Sequence, residues 1–130
     1  MQAAILNVKL PALDEENSRR RGIAQRYRDQ IRHPEISILT GRGGDDDVAH
    51  LFVLLAQRRD ALRAHLSAYG VDTDVHYPIP DHLQPAWHSI GGHSLPATEL
   101  AATQVLTIPC YPGLGEDAVQ RVVSAVNDFV

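Results

Sequence analysis

Residues 71–87 read VDTDVHYPIPDHLQPAW, and their pattern decides what kind of sheet this chain can build. From Val71 to His76 the residues alternate. Val71, Thr73 and Val75 fall on one side; Asp72, Asp74 and His76 fall on the other. A period of two is that of a strand with one buried face. Pro78 and Pro80 then end regular pairing, because proline lacks the donor that a ladder needs. The strand thus delivers His76 and Tyr77 to its end, and two prolines stiffen the exit. Imidazole and phenol both donate and accept hydrogen bonds, which suits sugar hydroxyls or phosphate. Two readings stand side by side: a ligand-binding edge, or aromatic packing against Pro78.

The flanking sequence supplies partners for that strand. Upstream, Ala49–Ala56 (AHLFVLLA) is a short apolar run that predicts a strand buried on both faces. A helix follows over Arg58–Tyr69, with Leu62, Leu66 and Tyr69 on one face and Gly70 placed to end it in a left-handed conformation. Downstream, residues 81–90 predict a short helical turn around Leu83, Pro85 and Trp87. Ser94 is a candidate cap ahead of Pro96 for a helix to about Ala102. Val105–Pro109 predicts a third strand. From Glu116, Val119, Val122, Val123, Val126 and Phe129 form one helical stripe. At the other end, residues 2–10 (QAAILNVKL) predict a helix that Pro11 kinks or ends. A second helix over 12–32 buries Ile23, Tyr27 and Ile31, and His33-Pro34 stops it. Residues 41–47 (GRGGDDD) predict a solvated loop. The sum is an α/β chain of the α+β-like kind: a short, mainly antiparallel three-stranded sheet with helices on one face, residues 1–130 forming one domain. The helical segment 1–33 is expected to project from it.

Composition narrows the function classes. The net charge of −4 argues against a general nucleic-acid binder. No apolar run reaches the roughly 20 residues that span a bilayer, and no secretory signal pattern opens the chain. Cys110 is the only cysteine, which suits a reducing cytoplasm; its setting predicts a small apolar filler. Of the 12 basic residues, 11 are arginine, so Lys9 is the only amine side chain. Asp72, Asp74 and His76 share a strand face that could converge on a metal, but no fourth ligand follows at fixed spacing, and a wet strand face is the expectation. His82, His88 and His93 match no zinc spacing. Asp45, Asp46 and Asp47 lack a calcium-loop pattern. Gly41-Arg42-Gly43-Gly44 lacks the spacing and lysine of a phosphate loop, and no Gly-x-Ser-x-Gly elbow is present.

VDTDVHYPIPDHLQPAW resembles the His-Tyr-Pro segment of the DegT/DnrJ/EryC1/StrS sugar aminotransferases. The flanking pieces agree in order. QAAILNVKLPALDEENSRRRGIAQRY resembles the family's QAA helix, HLFVLLAQRRDALRAHLSAYGV its strand and helix, and LPATELAATQVLTIPCYPGLGEDAVQRVVSAV its terminal strand and helix. The HYPIP-x-HLQ form resembles members that aminate dTDP-linked 3-keto-6-deoxyhexoses.

The resemblance implies the carboxyl-terminal small domain of a fold-type I pyridoxal-phosphate enzyme with glutamate as amino donor. In that family the Schiff-base lysine lies upstream of the QAA helix, and Lys9, inside that helix, does not match it. The expectation is a chain without its own catalytic residue, binding no cofactor and inactive alone. By position, His76, Tyr77 and His82 correspond to substrate-side residues facing a nucleotide-linked keto-sugar. Asp74 and Asp81 depart from common forms and put negative charge near a diphosphate. The expected partners are the lysine-bearing large domain or a homologous subunit, with self-association through apolar surface left uncovered. The alternative is a non-catalytic interaction module that pairs with a full-length homologue.

Overall fold

Eighteen residues of helix, Leu13–Gln30, set the long axis against which the sheet packs. The structure is a computed structural model that describes residues 2–39, 44, 46–90 and 92–130, with side chains for all of these except 88–90. Gly41, Arg42, Gly43 and Asp45 of the predicted loop, and the side chain of His88, lie outside the described residues. Helix α1 (Gln2–Lys9) runs through a 3-10 turn at Leu10–Ala12 into α2 (Leu13–Gln30). Pro11 in that turn interrupts the α-helical hydrogen bonds without reversing the chain, since Lys9, Ala12 and Leu13 all keep right-handed helical angles. Helix α2 ends two residues earlier than predicted, with Ile31 already extended.

Three antiparallel strands follow in the order β1-β2-β3: β1 (Ile36–Ile38), β2 (Phe52–Ala56) and β3 (Val105–Ile108). The number and direction of strands agree with expectation, but one identity differs. The sequence Ile36-Ser37-Ile38 makes the third strand, whereas the predicted strand 71–76 pairs only at Asp74, opposite Thr107. Pro78 and the turn at Tyr77 leave it no length in which to extend a ladder. Strand β2 also differs from its predicted double burial. Phe52, Leu54 and Ala56 are buried while Val53 and Leu55 are only half-buried, because the helices close one face of the sheet.

On that closed face, paired residues point the same way: Ile36 beside Ala56, Leu54 beside Leu106, Phe52 beside Ile108. Against them lie Ala24 and Tyr27 from α2, Ile31 just past its end, Leu62 and Leu66 from α3 (Arg59–Ala68), and Val119, Val122, Val123 and Val126 from α5 (Glu116–Asn127). The stripe predicted for α5 is buried as expected, Phe129 included. Tyr69, expected in the core, is exposed; its ring lies 4.7 Å from that of His65. Gly70 closes α3 at a φ of +68°. The Val71 amide donates to Leu66 and the Gly70 amide to Ser67, the paired bonds of a Schellman ending. Helix α4 (Pro96–Gln104) leads directly into β3. Its cap is Leu95 rather than Ser94, with no side-chain hydrogen bond from the capping residue.

The carboxyl-terminal end is fixed by polar contacts around Phe129. His33 Nε2 lies 2.8 Å from the Phe129 carbonyl, and its Nδ1 accepts the Glu35 amide at 3.1 Å. Donating on one nitrogen and accepting on the other requires a neutral ring. Arg58 covers the Phe129 ring at 4.6 Å while bonding Glu35 and the Val130 carbonyl. In contrast, residues 2–16 are all exposed, and α1 buries none of its side chains.

Tyr27 joins helix to sheet. It is fully buried, packs edge-on against Phe52 at 5.1 Å, and donates its hydroxyl to the Pro109 carbonyl at 2.8 Å. Burial, with smaller contributions from Cys110 and Tyr111, pushes its phenol far above the ordinary value of 10.0. Tyr27→Phe removes that bond and strands a carbonyl, so it is expected to cost about 1–2 kcal/mol. A urea midpoint unchanged from the parent would contradict this.

Candidate functional site

The site is built outward from the free edge of β3. Asp74 and Thr107 exchange both main-chain hydrogen bonds, 3.1 Å from the Asp74 amide and 2.8 Å from the Thr107 amide. Two residues further on, His76 shares the face of Asp74, and its Nδ1 lies 2.9 Å from the Thr107 hydroxyl. The hydroxyl can donate to the bare nitrogen or accept from the protonated one, so the ring is oriented in either form. Asp74 turns inward on itself, its Oδ1 accepting the Val75 amide at 2.8 Å.

Tyr77 follows with a φ of +59°, a left-handed backbone on a bulky residue. Such a conformation costs on the order of 1–3 kcal/mol. The ring is 81% exposed, so the aromatic packing considered from the sequence does not bury it. The left-handed backbone thus leaves the phenol out in solvent.

His82 occupies a different setting. Its side chain is 11% exposed, and its Nε2 lies 3.1 Å from Glu99 Oε1. That same oxygen accepts the Leu95 amide at 2.9 Å. The Leu95 bond, and then the His82 bond, hold the Glu99 carboxyl below the ordinary 4.5. Among the described residues no hydrogen bond joins His82 to His76 or Tyr77. The structure thus brings His76 and Tyr77 to one edge and ties His82 to the start of α4. A cleft of about 500 Å³ lies under the loop, with Arg59, Arg63, Pro78, Pro80, Leu83 and Glu99 among its walls. Thr107 and Glu99 were not foreseen as site residues. Glu99 in the first turn of a helix was a signal for an amide acceptor; nothing in the sequence marked Thr107.

Other candidates resolve simply. Among the described residues no group of three His, Cys, Asp or Glu side chains is placed to share a metal ion. Asp47 is not a solvated loop carboxylate: it pairs with Arg28 at 2.9 Å and accepts the Ala49 amide. No helix of the described residues is long and apolar enough to cross a membrane. Lys9, the only lysine of the sequence, is exposed at the end of α1. Cys110 is buried, its Sγ 3.8 Å from the Arg20 carbonyl.

The sequence profile of the DegT/DnrJ/EryC1/StrS aminotransferase family matches residues 1–127. The dTDP-3-amino-3,6-dideoxy-α-D-galactopyranose transaminase of Aneurinibacillus thermoaerophilus is 39% identical over 129 residues, covering 99% of this chain and 36% of that protein. The dTDP-3-amino-3,4,6-trideoxy-α-D-glucose transaminase of Streptomyces venezuelae is 41% identical, covering 99% of this chain and 35% of that protein. The crystal structure of S. venezuelae DesV in complex with a ketimine intermediate superposes with a TM-score of 0.92 at 41% identity, over 98% of this chain and 35% of that one. The chain belongs to this aminotransferase family, and it spans about a third of the length of these relatives.

Desolvation raises the Cys110 thiol from 9.0 to about 11. The folded state therefore holds the proton, a contribution present below the unfolded value and lost as pH rises through about 11. At pH 8 a neutral thiol reagent is expected to react with the native chain at least ~30-fold more slowly than with the urea-unfolded chain. Equal rates would contradict the placement of Cys110.

Proposed function

We propose that this member of the aminotransferase family is the substrate-side wall of a pyridoxal-phosphate-dependent nucleotide-sugar aminotransferase. In this reading residues 1–130 are a carboxyl-terminal small domain; of the segment 1–33, expected to project, Ala24, Tyr27 and Ile31 pack into the core, and the exposed residues 2–16 are the part that reaches toward a lysine-bearing large domain. The assembled enzyme transfers an amino group from glutamate to a nucleotide-linked keto-sugar, and the cofactor supplies the carbanion chemistry when bound. This chain contributes no catalytic residue and no cofactor seat. A reducing cytoplasmic setting belongs to the same reading.

The observation that carries the proposal is Tyr77: exposed, left-handed, and anchored through its neighbour His76 to Thr107. His76 and Tyr77 offer hydrogen-bonding groups to sugar hydroxyls or phosphate. His82, expected on the same substrate side, is bonded to Glu99 at the start of α4 and supports the loop that carries Tyr77.

The test is a chimera in which this chain replaces the matching third of the Streptomyces venezuelae relative. It should transfer an amino group to that protein's keto-sugar substrate, and Tyr77→Ala should lower kcat/KM at least ~10-fold. A folded chimera without activity, or a Tyr77→Ala chimera at full activity, would count against the proposal.

A second expectation concerns partners. Ile5, Leu6, Val8, Leu10 and Leu13 are all exposed on α1, the connecting turn and the start of α2. We propose that this apolar surface packs against the large domain or a homologous subunit, and that the chain alone self-associates through it. Sedimentation velocity should show concentration-dependent assembly that Leu6→Glu with Val8→Glu abolishes. A parent chain monomeric at every attainable concentration would refute this.

A further inference from the structure

Among the described residues, the loop from Tyr77 to Leu95 contains no strand, only two 3-10 turns at Asp81–Leu83 and Pro85–Ile90. A segment of this length has considerable freedom to lose when its ends are fixed. Its first end is held by His76 on Thr107. Its other end and its middle meet at one atom, Glu99 Oε1, which bonds the Leu95 amide at 2.9 Å and His82 Nε2 at 3.1 Å. Both donors reach the oxygen at ordinary hydrogen-bond lengths, and a carboxylate acceptor makes both charge-assisted. The site lies at the amino end of α4, where the helix favours an anion. Helix α4 runs without a break into β3, the strand that carries Thr107. The loop is therefore closed on one rigid piece at two points.

We infer that Glu99 is a positioning residue, whose single oxygen latches His82 and Leu95 together and thereby fixes where Tyr77 points. The purpose of the latch rests on Tyr77 facing substrate; the latch itself does not. His82 in this arrangement acts through the loop rather than by touching a ligand. The other charged groups around the pair are Asp81 beside His82 and, from α3 across the cleft, Arg59 and Arg63. Arg59 is already committed to Asp60 at 2.9 Å and to the Ala102 carbonyl at 3.0 Å. The two bonds hold the Glu99 carboxyl below its ordinary value, so both are charge-assisted above the ordinary glutamate range and lose that assistance as pH falls through the lowered value.

The intact chain tests this by amide exchange and NMR titration, with no nucleotide sugar present. Leu83 and Gln84 donate within the loop, to the Pro80 and Asp81 carbonyls. Glu99→Ala should speed their exchange at least ~10-fold while Leu54 and Leu106 in the sheet keep parental rates. His82→Ala should do the same, and the double variant no more than either. Glu99→Gln keeps an acceptor oxygen and should restore parental rates. In the parent, the Tyr77 amide signal should follow a transition below the ordinary glutamate pKa that is absent in Glu99→Gln. Acceleration confined to Leu95 and the first turn of α4 would reduce Glu99 to a helix cap and overturn the inference. So would a Tyr77 signal blind to that transition, a readout that needs no variant to fold. An inactive chimera would bear on the substrate reading alone and leave these measurements unaffected.

Discussion

The free edge of β3 admits one residue pair, and the geometry of the site depends on it. Asp74 and Thr107 exchange both of their main-chain hydrogen bonds, and no further pair forms on either side. A longer ladder would have carried residues 75–77 along the sheet as ordinary strand. A missing one would have left them untethered. With a single pair, the chain is aligned at Asp74 and then free to turn at Tyr77. Thr107 serves twice, through its backbone to Asp74 and through its hydroxyl to His76. Both contacts come from a residue in the middle of a strand whose other face is core.

That arrangement explains how a left-handed tyrosine is tolerated. A cost on the order of 1–3 kcal/mol is a large share of a small domain's net stability. It persists only where neighbours leave no cheaper conformation. Pro78 fixes the following φ, His76 is held on the preceding side, and Glu99 gathers the far end of the loop. No one of these contacts overcomes the strain alone, since an ordinary hydrogen bond nets about 1 kcal/mol. Acting on consecutive segments of one loop, they restrict it jointly.

The sequence was most informative where periodicity was long and one-sided. Helix α5 and its valine stripe, the Gly70 ending of α3, and the places of β2 and β3 were legible, because burial imposes the same pattern over several residues. Short or tertiary features were not. Ile36-Ser37-Ile38 alternates correctly, but three residues carry too little pattern to be separated from loop. Val71–His76 alternates over six residues and still forms only one pair, since Tyr77-Pro78, immediately downstream, cuts the pairing short. His76 and Tyr77 were singled out from their position at a strand end. The partners that give them orientation, Thr107 and Glu99, come from 31 and 17 residues further along than the histidines they meet. No local spacing connects such pairs.

The two ends of the molecule are finished differently, and the difference bears on function. Around Phe129 the chain closes on itself with His33, Arg58 and His65 satisfying or covering the last turn. From α1 to the start of α2, the apolar side chains of Ile5, Leu6, Val8, Leu10 and Leu13 stand exposed. A fold stable only as an isolated unit gains nothing from the second arrangement, because each uncovered leucine forgoes roughly 1.5–3 kcal/mol of burial. Tyr77 is exposed in the same sense but at a cost in backbone strain, whereas α1 is an unstrained helix. The contrast separates two kinds of surface: an apolar helix suited to extensive packing, and a rigid polar edge suited to orienting a small ligand. In the proposed function the first would join this chain to a lysine-bearing part and the second would face the nucleotide sugar.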